Sequence, residues 1–451
     1  MGATRPSSPL DQRRTNALGF CTKELCSAVF VSGRSVDEVV RHDLGVICRR
    51  FAGGALDPAE ILFTVDRDRG VVEGGLADGS RHRAIASGDK GAALVDTIRL
   101  DRPGGPLPPV EPDRRPWPAG DARRPGDDYA PVRAAVLDHL ATTGARGVAV
   151  VHRGELVVEE FAGGFDLTVR TRGWSTGKTL TALIVGWLAG QGELDPAAPT
   201  TIPAWMRLGD PRARIRLLDL LRLSSGLAVR QFAEGTDGLL TDADEYFAMY
   251  FRPVSVDRMV SEVDVEAEPG ELFSYKSIDH LAIAVALGEV FGAQLHGYLS
   301  GIVLPALGLR HSLLETDAEG VPLLCGSWYT TPADLARIGE LILRGGWLAD
   351  RQTLPAEWIA TMLAESPATL AGRHVGPAET QHPYGASVWL NRDGHVGPAE
   401  DRAACYALGS LGQTVFVLPQ LDLVITRTAL EEHPRQLTLL HAVRTALAHC
   451  N

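Results

Sequence analysis

Several common functional signatures are missing from this chain of 451 residues. Its six cysteines form no Cys-x-x-Cys pair, and its 13 histidines include no His-Glu-x-x-His motif. Neither a zinc framework nor a metalloprotease-type centre is therefore indicated, and we expect reduced thiols, no metal ion and no other cofactor. Arginine and lysine are not concentrated in any block, and the formal net charge is -12, which argues against a nucleic-acid surface.

Long apolar runs are also missing. The first 20 residues contain arginines but no apolar stretch of the length that a secretory signal needs, and we expect no later stretch to be long enough to cross a membrane. Gly2 follows Met1, but Pro6 stands where the myristoylation pattern requires serine or threonine. The sequence thus predicts a cytoplasmic protein that does not contact membranes.

Lysine is the scarcest of the charged residues. Only four of the 44 basic residues are lysines, namely Lys23, Lys90, Lys178 and Lys276. An arginine guanidinium stays protonated in proteins, whereas a desolvated lysine ammonium can give up its proton. A position that keeps lysine in such a chain is therefore a candidate for a general base.

Proline is unevenly distributed, and its densest stretch predicts a boundary. Nine of the 28 prolines lie between Arg102 and Pro131, which indicates an extended connection. We expect residues 1–126 to form an N-terminal extension with this connection, and residues 127–446 to form the main domain. Hairpin patterns occur at both ends of the main domain, and helical patterns dominate between them, so one sheet should be assembled from distant segments around an inserted helical subdomain.

The segment GWSTGKT, residues 173–179, fits parts of three motifs. A P-loop needs four residues between its glycines, but Gly173 and Gly177 enclose only three. The Gly-x-Ser-x-Gly elbow of α/β-hydrolases should close an apolar strand of a parallel sheet, whereas the preceding FDLTVRTRGW is charged and a long helical pattern follows. The third motif is a Ser-x-x-Lys pair, Ser175 and Lys178. It is favoured over the elbow, and a serine that merely caps the helix is the structural alternative.

The Ser-x-x-Lys spacing brings its two side chains together on one helix face. A desolvated lysine there can accept the serine proton, and the helix N-terminus favours negative charge on the nucleophile and on a substrate oxygen. The same letters occur at Ser87 and Lys90, but in a Gly/Asp turn with no apolar helix behind it, which predicts a loop.

A second segment, EPGELFSYKS, carries a candidate partner for this pair. Tyr275 and Ser277 lie two residues apart after a Pro-Gly turn, so in an extended segment both can point into one cleft. A phenol beside a lysine can relay protons. Tyr298 and Ser300 show the same spacing, but their apolar helical surroundings predict core packing.

At these segments the chain resembles the serine β-lactamase and penicillin-recognising superfamily, in particular its family VIII carboxylesterase and 6-aminohexanoate-dimer hydrolase branch. The resemblance covers about residues 127 to 445 and includes, in order, the following segments: VAVVHRGELVVEEF, WSTGKTLTALIVGWLAGQGELD, DPRARIRLLDLLRLSSGL, PGELFSYKSIDHLAIAVAL, LGLRHSLLETDAEG, GSWYTTPADLARIGELILRGG and GSLGQTVFVLPQLDLVITR. It implies an α/β (α+β) fold of β-lactamase type, in which an antiparallel sheet is flanked by helices and carries a mainly helical subdomain, with residues 1–126 as an extension.

The resemblance implies roles for individual residues. Ser175 matches the nucleophile, Lys178 its base partner and Tyr275 the tyrosine that relays protons. Ser277 stands where many relatives have asparagine and is a candidate substrate-binding residue.

The third motif of the family, Lys-Thr-Gly in β-lactamases, falls on Ala407-Leu408-Gly409. The resemblance implies that Gly409 contacts substrate and that the backbone N–H of Ser410 joins that of Ser175 in an oxyanion hole. Alanine replaces the lysine that grips the carboxylate of penicillins and cell-wall peptides. Esters and amides without a carboxylate are therefore the expected substrates.

The expected function is that of a serine hydrolase acting on a small ester or amide, with a possible homodimer as the only protein partner. An acyltransferase of the same fold is the first alternative, and a non-catalytic binding protein is the second. Substrate choice should depend on the loops at residues 226–272 and 371–400. Three aromatic residues near the motifs are candidates for an apolar acyl pocket, namely Trp174, Trp328 and Tyr329.

Overall fold

The chain opens with three helices that lie against a small antiparallel sheet, hereafter the N-terminal layer (residues 9–95). The structure is a computed structural model, and it describes residues 9–96, 107, 111–228, 248–396 and 401–450. Helix α1 lies across β2 and β3, where a Cβ at Gly74 would come within 2.3 Å of Thr22 Oγ1. The elements of this layer are α1 (Pro9–Phe30), α2 (Val36–His42), α3 (Leu44–Ala52), β1 (Leu62–Asp66), β2 (Val71–Gly75), β3 (Arg81–Ala86) and β4 (Ala92–Leu94).

After a connection rich in proline, the main domain alternates strands and helices. Its elements, in chain order, are α4 (Ala130–Thr142), β5 (Ala145–His152), β6 (Glu155–Phe161), β7 (Thr171–Arg172), α5 (Thr176–Gly190), α6 (Leu217–Leu221), α7 (Ala248–Phe251), α8 (Val256–Glu262), β8 (Phe273–Ser274), α9 (Ile278–Phe291), α10 (Leu295–Tyr298), α11 (Leu304–Ala306), β9 (Leu313–Leu314), β10 (Trp328–Thr330), α12 (Pro332–Leu343), β11 (Trp347–Leu348), β12 (Arg351–Gln352), α13 (Ala356–Leu363), α14 (Pro367–Leu370), β13 (His374–Val375), β14 (Trp389–Leu390), β15 (Cys405–Gly409), β16 (Gln413–Leu418), β17 (Leu423–Ala429) and α15 (Gln436–Leu447).

The largest sheet of the main domain has six antiparallel strands in the order β14-β15-β16-β17-β5-β6. The β5–β6 hairpin turns at Arg153 and Gly154, which have φ values of 53° and 78° and so match the right-handed twist of a tight hairpin. Helix α12 packs on one face of the sheet, and α4 and α15 pack on the other. Strands from both ends of the domain thus form one antiparallel sheet with helices between them, and the predicted fold class is confirmed.

The region between β7 and β9 is mainly helical. One run in it, Ile278–Ala306, has 29 residues and contains an 18-residue window with a mean hydropathy of 1.4, so it is long and apolar enough to cross a membrane by length and composition alone. The expectation that no stretch reaches such a length was therefore wrong. In the structure α9 lies in the core, and every residue from Ile278 to Leu287 is buried, as in a central helix of a folded domain.

A buried ion cluster joins the N-terminal layer to the main domain. The Glu315 carboxylate accepts hydrogen bonds from Lys23 Nζ at 2.6 Å, Ser27 Oγ at 2.7 Å and Ser327 Oγ at 3.0 Å. Arg172 Nη1 lies 3.4 Å from the same carboxylate. Because Lys23 and Ser27 belong to α1, the two parts of the chain share a charged core, and the division into residues 1–126 and 127–446 stays a prediction.

Glu315→Gln is expected to lower the free energy of unfolding by about 3–5 kcal/mol, because the buried Lys23 loses its compensating charge and Arg172 keeps only its ion pair with Glu24. Lys23 and Glu315 are 1% and 0% exposed. Burial by itself raises the pKa of Glu315, but the Lys23 and Arg172 cations outweigh it, and the pKa is lowered. This stabilisation is present above the usual glutamate pKa of 4.5 and is lost as the pH falls through the lowered pKa, so the difference between the two proteins should be smaller at pH 4 than at pH 7.

The measurement is urea unfolding at pH 7 and at pH 4. Glu60→Gln is the matched control, since Glu60 pairs with Arg14 at the surface, where the two side chains are 49% and 29% exposed. That change should cost less than about 1 kcal/mol. If both substitutions lowered the free energy of unfolding equally, the buried cluster would contribute no more to stability than the surface pair does.

Candidate active site

Ser175 and Lys178 lie at the start of α5, with their side chains on the same face. Lys178 is 1% exposed, and its Nζ lies 3.5 Å from Ser175 Oγ and 3.0 Å from the carbonyl oxygen of Cys325. Ser175 occupies the N-cap position but accepts no capping hydrogen bond. The hydroxyl is therefore not used as a helix cap, and it faces an amine.

The two glycines of GWSTGKT make room for Trp328. A Cβ at Gly173 would lie 2.2 Å from Trp328 Nε1, and a Cβ at Gly177 would lie 2.9 Å from Trp328 Cδ1. Strand β7, just before this segment, has two residues and pairs antiparallel with β10. The parallel strand that a nucleophile elbow closes does not precede Ser175.

Tyr275 reaches the same place from a segment about a hundred residues further along the chain. It follows β8, and its ring centroid lies 5.0 Å from Lys178 Nζ. The ring also stacks on Trp389, with centroids 5.3 Å apart and an interplanar angle of 21°. Ser277 follows two residues later as the N-cap of α9. The serine, the lysine and the tyrosine that the sequence singled out thus meet in the folded chain.

Ser175, Tyr275 and Ser277 border a cavity of about 350 Å³, whereas the buried Lys178 is not among its lining residues. Six predicted site residues line it, namely Trp174, Ser175, Tyr275, Ser277, Gly409 and Ser410. The lining that sequence reasoning missed is Tyr250, Cys325, Glu379, His382, Trp389, His395, Val396, Tyr406, Leu408, Gln436 and Leu437. A larger cleft of about 810 Å³ lies beside α15 and includes none of the predicted residues.

The end of β15 approaches the nucleophile closely. A Cβ at Gly409 would lie 2.6 Å from the carbonyl oxygen of Gly173 and 3.0 Å from Trp174 Cβ, so only glycine fits there. Among the described residues, the backbone N–H groups of Ser175 and Ser410 have no acceptor in the protein. Both residues line the cavity, so their amides stay the predicted donors of an oxyanion hole.

Two predicted pocket residues lie elsewhere. Trp328 is 1% exposed and fills the space beneath Gly173 and Gly177. Tyr329 is also buried, and its hydroxyl accepts a hydrogen bond from Arg172 Nη2 at 2.9 Å. The expectation that they line an acyl pocket is corrected, because strand β10 directs both side chains into the core.

Five of the eleven missed lining residues come from the loop at residues 371–400, which the sequence had marked for substrate choice. His382 Nδ1 lies 2.7 Å from Asp393 Oδ2, and the His382 and His395 rings stack with centroids 3.8 Å apart. Trp389 stacks on Tyr406 with an interplanar angle of 10°. The concentration of aromatic and histidine residues in HPYGASVWLNRDGH was the available signal. Residues 397–400, and residues 229–247 of the other marked loop, lie outside the described residues.

Charge is sparsely distributed around Lys178. Burial lowers the pKa of His280 well below its usual value, and the Lys178 ammonium lowers it further, so this imidazole is neutral at pH 7. Burial raises the pKa of Asp279 to about 6 against the pull of Lys276. Among the described residues, no arginine or lysine side chain lines the cavity, and no group of three or more His, Cys, Asp or Glu residues is arranged to hold a metal ion.

Comparison with known proteins identifies the family of this chain. The family model described as Beta-lactamase matches residues 132–448. The chain belongs to the beta-lactamase family. Its similarity extends to the 6-aminohexanoate-dimer hydrolase of Paenarthrobacter ureafaciens, which is 23% identical over 284 residues, 62% of this chain and 70% of the relative.

Solved structures share the fold of this beta-lactamase-family chain. A family VIII carboxylesterase has a TM-score of 0.51 and 16% identity, over 71% of this chain and 98% of its own. EstCE1, described as a hydrolase with promiscuous acyltransferase activity, has a TM-score of 0.54 and 16% identity over the same shares. The relatives are named as hydrolases, and this beta-lactamase-family chain is an enzyme of that kind.

Proposed function

We propose that this member of the beta-lactamase family cleaves an ester or amide bond through an acyl-enzyme on Ser175. The observation that carries the proposal is the 3.5 Å separation of Ser175 Oγ and Lys178 Nζ beside the Tyr275 ring, at the wall of a cavity. A serine hydroxyl is a weak nucleophile until a neighbouring base accepts its proton.

In the first half of the reaction, Lys178 and Tyr275 together accept the Ser175 proton while Oγ attacks the substrate carbonyl carbon. The backbone N–H groups of Ser175 and Ser410 bind the oxygen that becomes negative, because fixed dipoles stabilise charge that develops in the transition state. The same proton then passes to the leaving oxygen or nitrogen, the carbon–heteroatom bond breaks, and the acyl group stays on Ser175.

In the second half, water takes the place of the leaving group. Lys178 and Tyr275 accept one proton from it, the resulting hydroxide attacks the acyl carbon, and the proton returns to Ser175 Oγ as the acid product leaves. The same three residues thus serve both halves of the reaction, which ends with the free enzyme restored.

The lining favours an uncharged acyl group. Trp174, Tyr250, Trp389 and Leu408 present apolar surface to the cavity. Ala407 replaces the family lysine and is buried, so a substrate carboxylate would find no arginine or lysine among the described lining residues. We infer neutral aromatic or aliphatic esters and amides as the substrate class, and weak activity on penicillins.

The test combines labelling with a substrate panel. An alkyl fluorophosphonate is expected to add one phosphonyl group to the protein, seen by intact mass and mapped to the peptide that contains Ser175. Short and long aryl esters, a linear amide dimer and a chromogenic cephalosporin are then compared, and the esters should be cleaved fastest. Absence of both labelling and turnover would favour the alternative of a non-catalytic binding protein.

Acyl transfer is the second candidate function, because EstCE1, which shares the fold, is described as a hydrolase with promiscuous acyltransferase activity. An alcohol or amine would take the place of water in the second half of the reaction. With an aryl ester donor and a short alcohol, acylated product that outruns hydrolysis would assign the chain to this class. Hydrolysis that is unchanged by the alcohol would assign it to the hydrolases.

A further inference from the structure

Trp174, the residue before the nucleophile, is held by residues of the N-terminal layer. Its ring stacks on that of Phe51 from α3, with centroids 5.3 Å apart and an interplanar angle of 29°. Phe20 from α1 meets it edge-on at 6.1 Å. Phe20 and Phe51 are 1% and 2% exposed. Both lie outside the matched family region, which begins at residue 132.

A cation of the main domain, which the N-terminal layer binds, also contacts this ring. The Arg172 guanidinium lies 5.3 Å from the centroid of the Trp174 ring. Its Nη2 forms an ion pair at 2.9 Å with Glu24 of α1. The N-terminal layer therefore holds Trp174 directly through the rings of Phe20 and Phe51. It also acts indirectly through Arg172, which Glu24 binds.

The backbone of Trp174 packs between Gly409, which precedes Ser410, and Gly326. Its φ of 50° is in the left-handed region, which is unfavourable for a residue with a side chain and persists only where packing enforces it. On one side Trp174 Cβ would lie 3.0 Å from a Cβ at Gly409, the residue before Ser410. On the other, a Cβ at Gly326 would lie 2.9 Å from the Trp174 carbonyl carbon and 3.3 Å from Ser175 N.

We propose that the N-terminal layer sets the geometry of the oxyanion hole through Trp174, with Phe20 and Phe51 as positioning residues. This inference rests on the proposed acyl-enzyme mechanism, in which the Ser175 and Ser410 amides bind the oxyanion. If the Trp174 ring loses its support, the left-handed backbone relaxes and the Ser175 amide turns away from that of Ser410. Transition-state binding is then weakened more than substrate binding, because the oxyanion forms only in the transition state.

The test replaces Phe51 with leucine in the full-length protein. Phe51→Leu is expected to lower kcat for an aryl ester by about tenfold or more, with KM within about twofold of wild type. Phosphonylation of Ser175 should slow by a similar factor but still reach completion. Phe20→Leu, which changes the edge-on contact with the same ring, is the second variant and should also lower kcat. It keeps the test possible if Phe51→Leu does not fold.

The control is Phe63→Leu, the same change in β1 of the same layer. Phe63 packs near Gly74 of β2, and the ring contacts of Trp174 are with Phe20, Phe51 and Tyr250 rather than with Phe63. Its variant should keep kcat within about twofold of wild type, even where its melting temperature falls. The proposal would be overturned if Phe51→Leu and Phe20→Leu folded and kept the kcat of the wild type. It would also be overturned if Phe63→Leu lost as much kcat as they do. Full activity of Ser175→Ala would instead overturn the mechanism, whatever the phenylalanine variants show.

Discussion

Replacing Ser175 with alanine is expected to lower kcat/KM for an aryl ester by about 10⁴-fold or more, since the covalent route is lost and only the oxyanion hole and substrate binding remain. The substitution should leave the melting temperature almost unchanged. Ser175 is half-buried, and its hydroxyl makes one side-chain hydrogen bond in the described structure, the long contact with Lys178 at 3.5 Å. The measurements are steady-state kinetics and intact mass after fluorophosphonate treatment, where no label should appear.

Ser87→Ala is the matched control, because Ser87 and Lys90 repeat the Ser-x-x-Lys spacing. Ser87 precedes a three-residue 3-10 helix between β3 and β4, Lys90 is the last residue of that helix, and neither lines the cavity. Activity and labelling should equal those of the wild type. If Ser175→Ala kept wild-type turnover, the nucleophile would have to be sought elsewhere, and Cys325 in the cavity wall would be examined next.

Replacing Lys178 with arginine is expected to lower kcat/KM by about 10³-fold, within the range for loss of a general base. The change keeps a positive charge but not the capacity to give up a proton, since a guanidinium stays protonated in proteins. It also forces a larger group into a site that is 1% exposed, where Nζ already lies 3.0 Å from the Cys325 carbonyl oxygen. Fluorophosphonate labelling should slow in parallel with turnover.

Lys90→Arg is the control for this substitution, and we expect its kinetics to match the wild type. Circular dichroism and melting temperature separate a misfolded Lys178→Arg protein from a folded one without a base. Turnover of Lys178→Arg within tenfold of wild type would mean that charge alone is needed at this position and that Tyr275 is the base. That outcome would leave Ser175 as the nucleophile but reassign the proton transfer.

The scarcity of lysine in this sequence marks buried positions as well as a candidate base. Lys23, Lys178 and Lys276 are each 1% exposed, and each contacts a buried oxygen atom. Sequence reasoning selected Lys178 because a serine stood three residues before it. It did not select Lys23, because its partner Glu315 lies 292 residues away and nothing local marks that pairing.

The aromatic residues show where reasoning from proximity in the chain fails. Trp174, Trp328 and Tyr329 all stand beside motif segments, yet only Trp174 borders the cavity. Trp328 and Tyr329 are neighbours in β10 and point to opposite faces of that strand. Because β10 is a central strand, paired with β7 on one edge and β9 on the other, and both of its faces are covered, neither side chain reaches the cavity. Trp389 and Tyr406, which do line the cavity, belong to strands that pair only in the folded sheet.

By itself, the sequence of this protein determined its short-range chemistry. Ser175 and Lys178 share a face because three residues span nearly one helical turn, and the hairpins and helices follow from apolar periods of two and 3.6 residues. Tertiary structure alone decided what surrounds that pair: the shape of the cavity, the burial of Trp328, the Lys23–Glu315 cluster and the support of Trp174 by Phe20 and Phe51. These features depend on packing between segments far apart in the chain, and the free energy of such packing comes from surfaces that meet only after folding, which no local pattern encodes.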